Sequence, residues 1–332
     1  MRRYLIILLL IALVIVLVYT LHPPKVEDPT WGINFSEKQA RRLGLDWKES
    51  YLSILQDMGV KHLRLMAHWD DIEPQDQAFD FENLDWQMDT ALENGAEVIL
   101  AIGMRTPRWP ECHIPAWAKD SSDEQLRAEI LEMIKEIVPQ YMNHPALSAW
   151  QVENEPLFGY GYCPSIDQSF LREEIELVKS LDPSHEIITS DSGELSMWFD
   201  TAREVDRLAI TLYRKVWSLD FDRYLSLPMP ISSYSVRAWL IDKILGKKIF
   251  VGELQAEPWV DGELIDVSIE EMGKTLTVNQ LRENIDFARK TGLDTFYLWG
   301  AEWWYYMKEN RDQGEFWEVV QELFSTNLTS NP

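Results

Sequence analysis

Two glutamates stand out by their neighbours. Glu155 closes Trp150-Gln151-Val152-Glu153-Asn154-Glu155-Pro156, and Glu253 follows the apolar run Phe250-Val251-Gly252. Two carboxyl groups brought face to face can break an acetal. One, held protonated, gives its proton to the leaving oxygen; the other attacks the carbon. A separation of roughly 5–5.5 Å implies retention of configuration through a covalent intermediate. Burial and the charge of its partner keep the first group protonated. A lone glutamate at a strand end is more often solvated or ion-paired, so a fold must place the two together before this chemistry follows.

The elements that would place them can be read along the chain. Gly32-Ile33-Asn34-Phe35 predicts a first strand and Asp46 to Met58 an amphipathic helix. His62 to Ala67 predicts a second strand, with a helix from Asn83 to Asn94. Glu97 to Ile102 and Leu147 to Val152 predict the third and fourth, followed by helices at Ser122 to Met142 and Asp167 to Ser180. Glu186 to Thr189 and Arg207 to Leu212 predict the fifth and sixth, with a weaker helix at Leu195 to Arg203 between them. Ser226 to Leu245 is less regular, with its helix expected from Ser235. Lys248 to Val251 and Thr295 to Trp299 predict the seventh and eighth, with helices at Thr277 to Thr291 and Phe316 to Phe324.

Strands alternating with helices over about 300 residues predict an α/β chain folded as a (β/α)8 TIM barrel. A doubly wound sheet would want glycines after its first strand, and Asn34-Phe35-Ser36 supplies none. In such a barrel, chemistry sits where strands end and the following loops begin. Glu155 and Glu253 then face each other across the mouth. Glu153 shares the strand parity of Glu155, so alternation alone does not choose between them. Glu257, in Glu257-Pro258-Trp259, rivals Glu253 from the next loop.

The run Trp69 to Pro74, then Phe79-Asp80-Phe81 and Leu84-Asp85, together with Asn154-Glu155-Pro156 and Glu253, resembles the clan A glycoside hydrolases. That superfamily includes family 5 cellulases and mannanases and family 42 β-galactosidases. The resemblance spans about Trp31 to Phe324. It implies that Glu155 is the acid/base, that Asn154 binds the sugar hydroxyl beside the reacting carbon, and that Glu253 is the nucleophile. It further implies that Arg64 orients the nucleophile, that Tyr213 hydrogen-bonds it, and that Trp299 floors the sugar subsite. Two positions depart from family 5. Thr211 stands where that family often carries a histidine, and Arg105 or Arg108 occupies the region of its strand-three histidine.

Composition agrees with a carbohydrate partner. The balance of 31 basic against 55 acidic residues gives a net charge of −24, which disfavours nucleic acid and acidic polymers. The fifteen tryptophans exceed what a core needs, and some are expected as stacking platforms for sugar rings. Trp69, Trp109, Trp117, Trp259, Trp303 and Trp304 are the candidates for a cleft lining, with His68 as a hydrogen-bonding wall residue. No cofactor and no metal are expected, since the two cysteines and six histidines have no zinc spacing. The chain is expected to act as a monomer.

Met1-Arg2-Arg3 precedes an uncharged apolar run from Tyr4 to Leu21, and no small-residue cleavage site closes it. Residues 1–22 are therefore expected to form a signal anchor or transmembrane helix, 23–30 a linker and 31–326 the barrel, outside the cytoplasm. A cleaved signal peptide, giving a secreted protein, is the alternative. Cys112 and Cys163, in loops after neighbouring strands, could bridge in that oxidising space. The expected function is a retaining hydrolase of β-glycosidic bonds in a neutral glycan. The same two carboxyls would serve an envelope-glycan transglycosylase, and a barrel that kept its tryptophans without turnover would only bind carbohydrate.

Overall fold

A computed structural model of the chain describes residues 4, 25–159, 161 and 163–328. Its strands are β1 (Thr30–Phe35), β2 (His62–Met66), β3 (Glu97–Ile102), β4 (Leu147–Val152) and β5 (Glu186–Asp191). They continue as β6 (Arg207–Leu212), β7 (Lys215–Ser218), β8 (Arg223–Ser226), β9 (Lys248–Gln255) and β10 (Thr295–Trp299). All except β7 and β8 pair in parallel and close in the order β1-β10-β9-β6-β5-β4-β3-β2. This is the expected (β/α)8 barrel, with β9 and β10 as the seventh and eighth staves.

Parallel strands are buried on both faces, which explains why they read as unbroken apolar runs. The inner face carries Ile99, Ala149, Ile188, Ala209, Phe250 and Tyr297, a layer that fills the barrel. The outer face carries residues such as Leu63, Leu65, Val98 and Leu100, packed in the main core. Helix Asp123–Tyr141 buries Leu126, Ile130, Met133, Ile134 and Ile137 in that core. Each such side chain contributes about 1.5–3 kcal/mol by leaving water. A capping box between Ser122 and Gln125 starts this helix, and Asp46, Asp167 and Thr277 cap helices Trp47–Gln56, Gln168–Leu181 and Val278–Lys290.

The structure departs from the sequence pattern at three places. The helix expected at Leu195 to Arg203 shrinks to Phe199–Ala202. The segment after β6 forms the antiparallel hairpin β7–β8, whose strands are only half-buried and carry no apolar alternation. Between the eighth stave and the last helix, where the sequence pattern predicts no element, lies helix Ala301–Arg311. That helix buries seven consecutive residues from Ala301 to Met307, so it has no polar stripe to betray its period.

One irregularity matters for function. In the pairing of β6 with β9, Ile210 opposes Val251 but Thr211 opposes Glu253, so Gly252 is an extra residue. The β10 pairing shifts over the same stretch. Val251 and Leu254 both lie in the outer core, whereas Phe250 lies inside. Strict alternation from Phe250 would send Glu253 outward; the bulge turns it into the mouth. Gly252 is required there, since a Cβ would come within 2.9 Å of the Ala209 side chain.

The expected anchor falls outside the described residues, apart from Tyr4. Among the described residues, no helix is long and apolar enough to cross a membrane.

Candidate active site

Arg64 organises the mouth of the barrel. It projects from β2, is fully buried, and all its outward hydrogen bonds go to side chains. Its Nε donates to Gln151 Oε1 at 2.7 Å, one terminal nitrogen donates to Asn34 Oδ1 at 2.8 Å and Glu253 Oε1 at 2.9 Å, and the other to Asn154 Oδ1 at 2.8 Å. Strands β1, β4 and β9 are thereby tied to one guanidinium. Removing one member of a buried charged pair costs about 3–5 kcal/mol, because the other charge is left unpaired. Arg64→Met is therefore expected to lower the unfolding free energy by that amount; an unshifted denaturant midpoint would refute this role.

Glu253 is held from two sides. Besides Arg64, the Tyr213 hydroxyl donates to Glu253 Oε2 at 2.9 Å. Burial, reinforced by the charge of Glu253, keeps the Tyr213 hydroxyl far above its usual range, so it stays a donor. Tyr213 follows β6, where its N–H donates to Glu194 Oε1 at 2.9 Å. Thr211 also donates to Glu194, at 3.2 Å, and so serves the β5 loop.

Glu155 has the opposite environment. It is half-buried in the same cleft as Glu253, and its backbone is left-handed at φ 45°. Its N–H donates to Ser190 Oγ at 2.9 Å. Burial raises its pKa well above the carboxylate range, and the charges of Glu253, Glu111, Asp191 and Glu194 raise it further. Left-handed backbone at a residue with a side chain costs of order 1–3 kcal/mol and persists only where the surroundings enforce it.

The rival Glu153 is also left-handed, at φ 60°, but turns away from the cleft. It is fully buried and accepts from the N–H groups of Met104 at 2.8 Å and Arg105 at 2.6 Å. Gly103 makes room for it, since a Cβ there would lie 2.4 Å from Glu153 Oε1. Glu174, on helix Gln168–Leu181, is buried near Glu153; burial, then the charge of Glu153, hold its pKa well above the usual range. Among the described residues no donor reaches the Glu174 oxygens, in keeping with a carboxyl that holds its proton.

Glu257, the other rival, sits in a buried network. Arg108 bridges Glu257 and Glu302, the latter at 2.6 Å, and its guanidinium lies 4.1 Å from the centre of the Trp299 ring. The Trp299 indole N–H donates to Glu257 Oε1 at 3.1 Å. Burial opposes the charge on Arg108, but Glu257 and Glu302 outweigh it and hold the guanidinium protonated. Neither Glu111 nor Glu302 was singled out by sequence pattern, since neither lies at a strand end or in a motif.

The cleft has a volume of about 280 Å³ and is lined by Trp109, Trp217, Trp259 and Trp299 around Glu155, Glu253, Tyr213 and Arg108. Trp259 meets Tyr213 edge to face at 5.0 Å. The other candidate tryptophans lie elsewhere. Trp69 is fully buried and donates to Glu73 at 2.7 Å, with Trp117 packed on its ring. Trp303 and Trp304 are fully buried core residues. His68 lies behind the wall, bonded to Thr106 at 2.8 Å and packed at a tilt against His113, ring centres 3.9 Å apart; burial, then His113, keep it neutral. Trp217, on the hairpin, had no strand or motif to flag it. Cys112 and Cys163 are bridged, with Cα atoms 5.4 Å apart.

A closed parallel barrel whose β4 and β9 ends carry these two glutamates has the architecture of the clan A glycoside hydrolases. The profile of glycoside hydrolase family 42, described as β-galactosidase, matches residues 45–127 and 118–238, more than half of the chain. The chain belongs to that family. A β-galactosidase LacZ from Heyndrickxia coagulans is 24% identical over 172 residues, covering 42% of this chain and 24% of that protein. The chain thus spans about a quarter of the length of the curated relatives it matches first. The β-galactosidase of Rahnella sp. R3 superposes with a TM-score of 0.60 at 14% identity, covering 93% of this chain and 58% of that one. The exo-β-1,4-mannosidase Op5Man5 of Opitutaceae bacterium strain TAV5 also gives 0.60 at 14% identity, covering 91% and 61%. At that identity the two structures share the fold.

Proposed function

We propose that the chain is a retaining β-glycosidase acting by double displacement on a neutral glycan. One observation carries this reading. Glu253 accepts from both Arg64 and Tyr213, and it shares a cleft with Glu155, whose environment favours the proton.

Glu253 attacks the anomeric carbon as Glu155 passes its proton to the departing oxygen. The C–O bond to the leaving group breaks and a glycosyl ester forms on Glu253. Glu155, now ionised, takes a proton from water, and the water oxygen displaces Glu253 and regenerates it. Asn154, fixed by Arg64 beside Glu155, is placed to bond the sugar next to the reacting carbon. The tryptophan walls suit the apolar faces of sugar rings.

A β-galactoside is the first substrate class, from the described activity of the family. A β-mannoside is the second, from the named activity of one similar structure. The disulfide favours an oxidising compartment, in keeping with an anchored or secreted barrel outside the cytoplasm. The test is a panel of aryl β-glycosides with the anomeric configuration of the first product followed by NMR. Net retention is expected; inversion would overturn the double displacement.

A further inference from the structure

One carboxyl in the cleft has no part in the double displacement. Glu111 lines the wall beside Glu155 and Glu253, and its Oε2 accepts from Asn154 Nδ2 at 3.0 Å. Asn154 Oδ1 meanwhile accepts from Arg64 at 2.8 Å and Ser190 at 2.7 Å. The amide next to Glu155 is thereby fixed at both ends.

The segment carrying Glu111 is built to hold it there. Arg105 and Cys112 form an antiparallel bridge, and His113 N–H donates to the Met104 carbonyl at 3.0 Å. Between them Glu111 is left-handed at φ 73°, and its N–H donates to the Arg108 carbonyl at 2.7 Å. The next residue, Cys112, is joined to Cys163 in the loop after β4. Gly161 of that loop packs so closely that a Cβ on it would meet Pro110 O at 3.0 Å and Glu111 Cβ at 3.3 Å. A left-handed residue pinned by its neighbours at the edge of a cleft is where a fold stores strain for function.

We propose that Glu111 is a positioning residue of this site, one that fixes the Asn154 amide and keeps the proton on Glu155, and that the Cys112–Cys163 bridge holds it in place. The inference rests on the reading of Glu155 as acid/base. The groups facing Glu155 are Glu253 from β9, Asp191 and Glu194 from the end of β5, Tyr213 after β6, and Glu111. Glu111 itself faces Glu253, Arg105 and Arg64. Arg64 is bonded to Glu253, so Glu111 keeps a negative field at Glu155 once ionised. Burial, then the charge of Glu253, push the Glu111 carboxyl up to about 7. Its field therefore strengthens as the pH passes neutrality, and it then opposes loss of the Glu155 proton.

The test is the pH profile of kcat/KM for an aryl glycoside whose leaving group needs protonation. The acid must be protonated, so Glu155 sets the alkaline limb. Glu111→Gln keeps an acceptor for Asn154 but removes the charge. Its alkaline limb should move to lower pH by about one unit, a tenfold change in proton affinity. Glu111→Ala should move it equally and lower the acid plateau further, because Asn154 is released. Reduction, or the Cys112→Ser/Cys163→Ser pair, should reproduce the Glu111→Ala profile; a profile unchanged by either overturns the role of the bridge. A uniform loss at every pH in Glu111→Gln, or an unmoved limb, overturns the proposal. Near-UV circular dichroism shows whether each variant folds, and Glu111→Gln carries the test if Glu111→Ala does not. A limb that persists in Glu155→Gln instead overturns the acid/base reading itself.

Discussion

Replacing Glu253 with alanine is expected to lower turnover of an aryl β-glycoside by about 10⁴-fold or more, the scale seen when a covalent nucleophile is removed. Azide should restore part of the rate and yield a glycosyl azide of inverted configuration. The small anion enters the space the carboxylate leaves and attacks from the same side, in one displacement rather than two. The variant leaves the buried Arg64 charge without its counter-ion, at a cost of about 3–5 kcal/mol, while Asn34, Gln151 and Asn154 still accept from the guanidinium, so circular dichroism must show that it is folded. Undiminished activity in a folded Glu253→Ala protein would remove Glu253 from the reaction and leave Glu257 as the seventh-strand candidate.

Glu155→Ala should have an effect that depends on the leaving group. Where the departing oxygen needs a proton, general acid catalysis is worth about 10²–10⁴-fold, and that factor should be lost. A dinitrophenyl leaving group departs as a stable anion, so formation of the glycosyl ester should be much less affected, and the ester should accumulate as a burst. Its breakdown lacks a base for water, but azide needs none. The azide product should have retained configuration, opposite to that from Glu253→Ala. Equal losses for both leaving groups would sink the assignment of Glu155 as the acid.

The barrel was legible because parallel strands buried on both faces are apolar throughout, and because capped helices with one apolar stripe alternate with them. The inner glutamates were legible because Asn154-Glu155-Pro156 and the apolar run before Glu253 mark strand ends. Local pattern could not show that Glu253 points inward, since the bulge at Gly252 reverses the alternation. Nor could it separate Glu153 from Glu155, because turns at φ 60° and 45° send two side chains of one parity in different directions. Tryptophan count indicated a cleft, but the cleft wall and the core draw on the same residue type. Trp303 and Trp304 sit in a helix with no polar face, whereas Trp217 comes from a hairpin with no apolar one. Glu111 was invisible as a site residue, and Arg108 could not be told from Arg105, because their place depends on long-range contacts from a loop without periodicity.

Arg64 gives the site a division between what is fixed and what is free to vary. Its partners come from three separate staves of the barrel, so the reacting groups cannot drift apart without the barrel opening. Change in substrate range must then be sought in the outer wall, on the segments bearing Trp109, Trp217 and Trp259, which line the cleft. Such a layout lets the outer ring be rewritten by mutation while the bond-breaking machinery stays intact, which is a physical basis for one barrel serving many sugars.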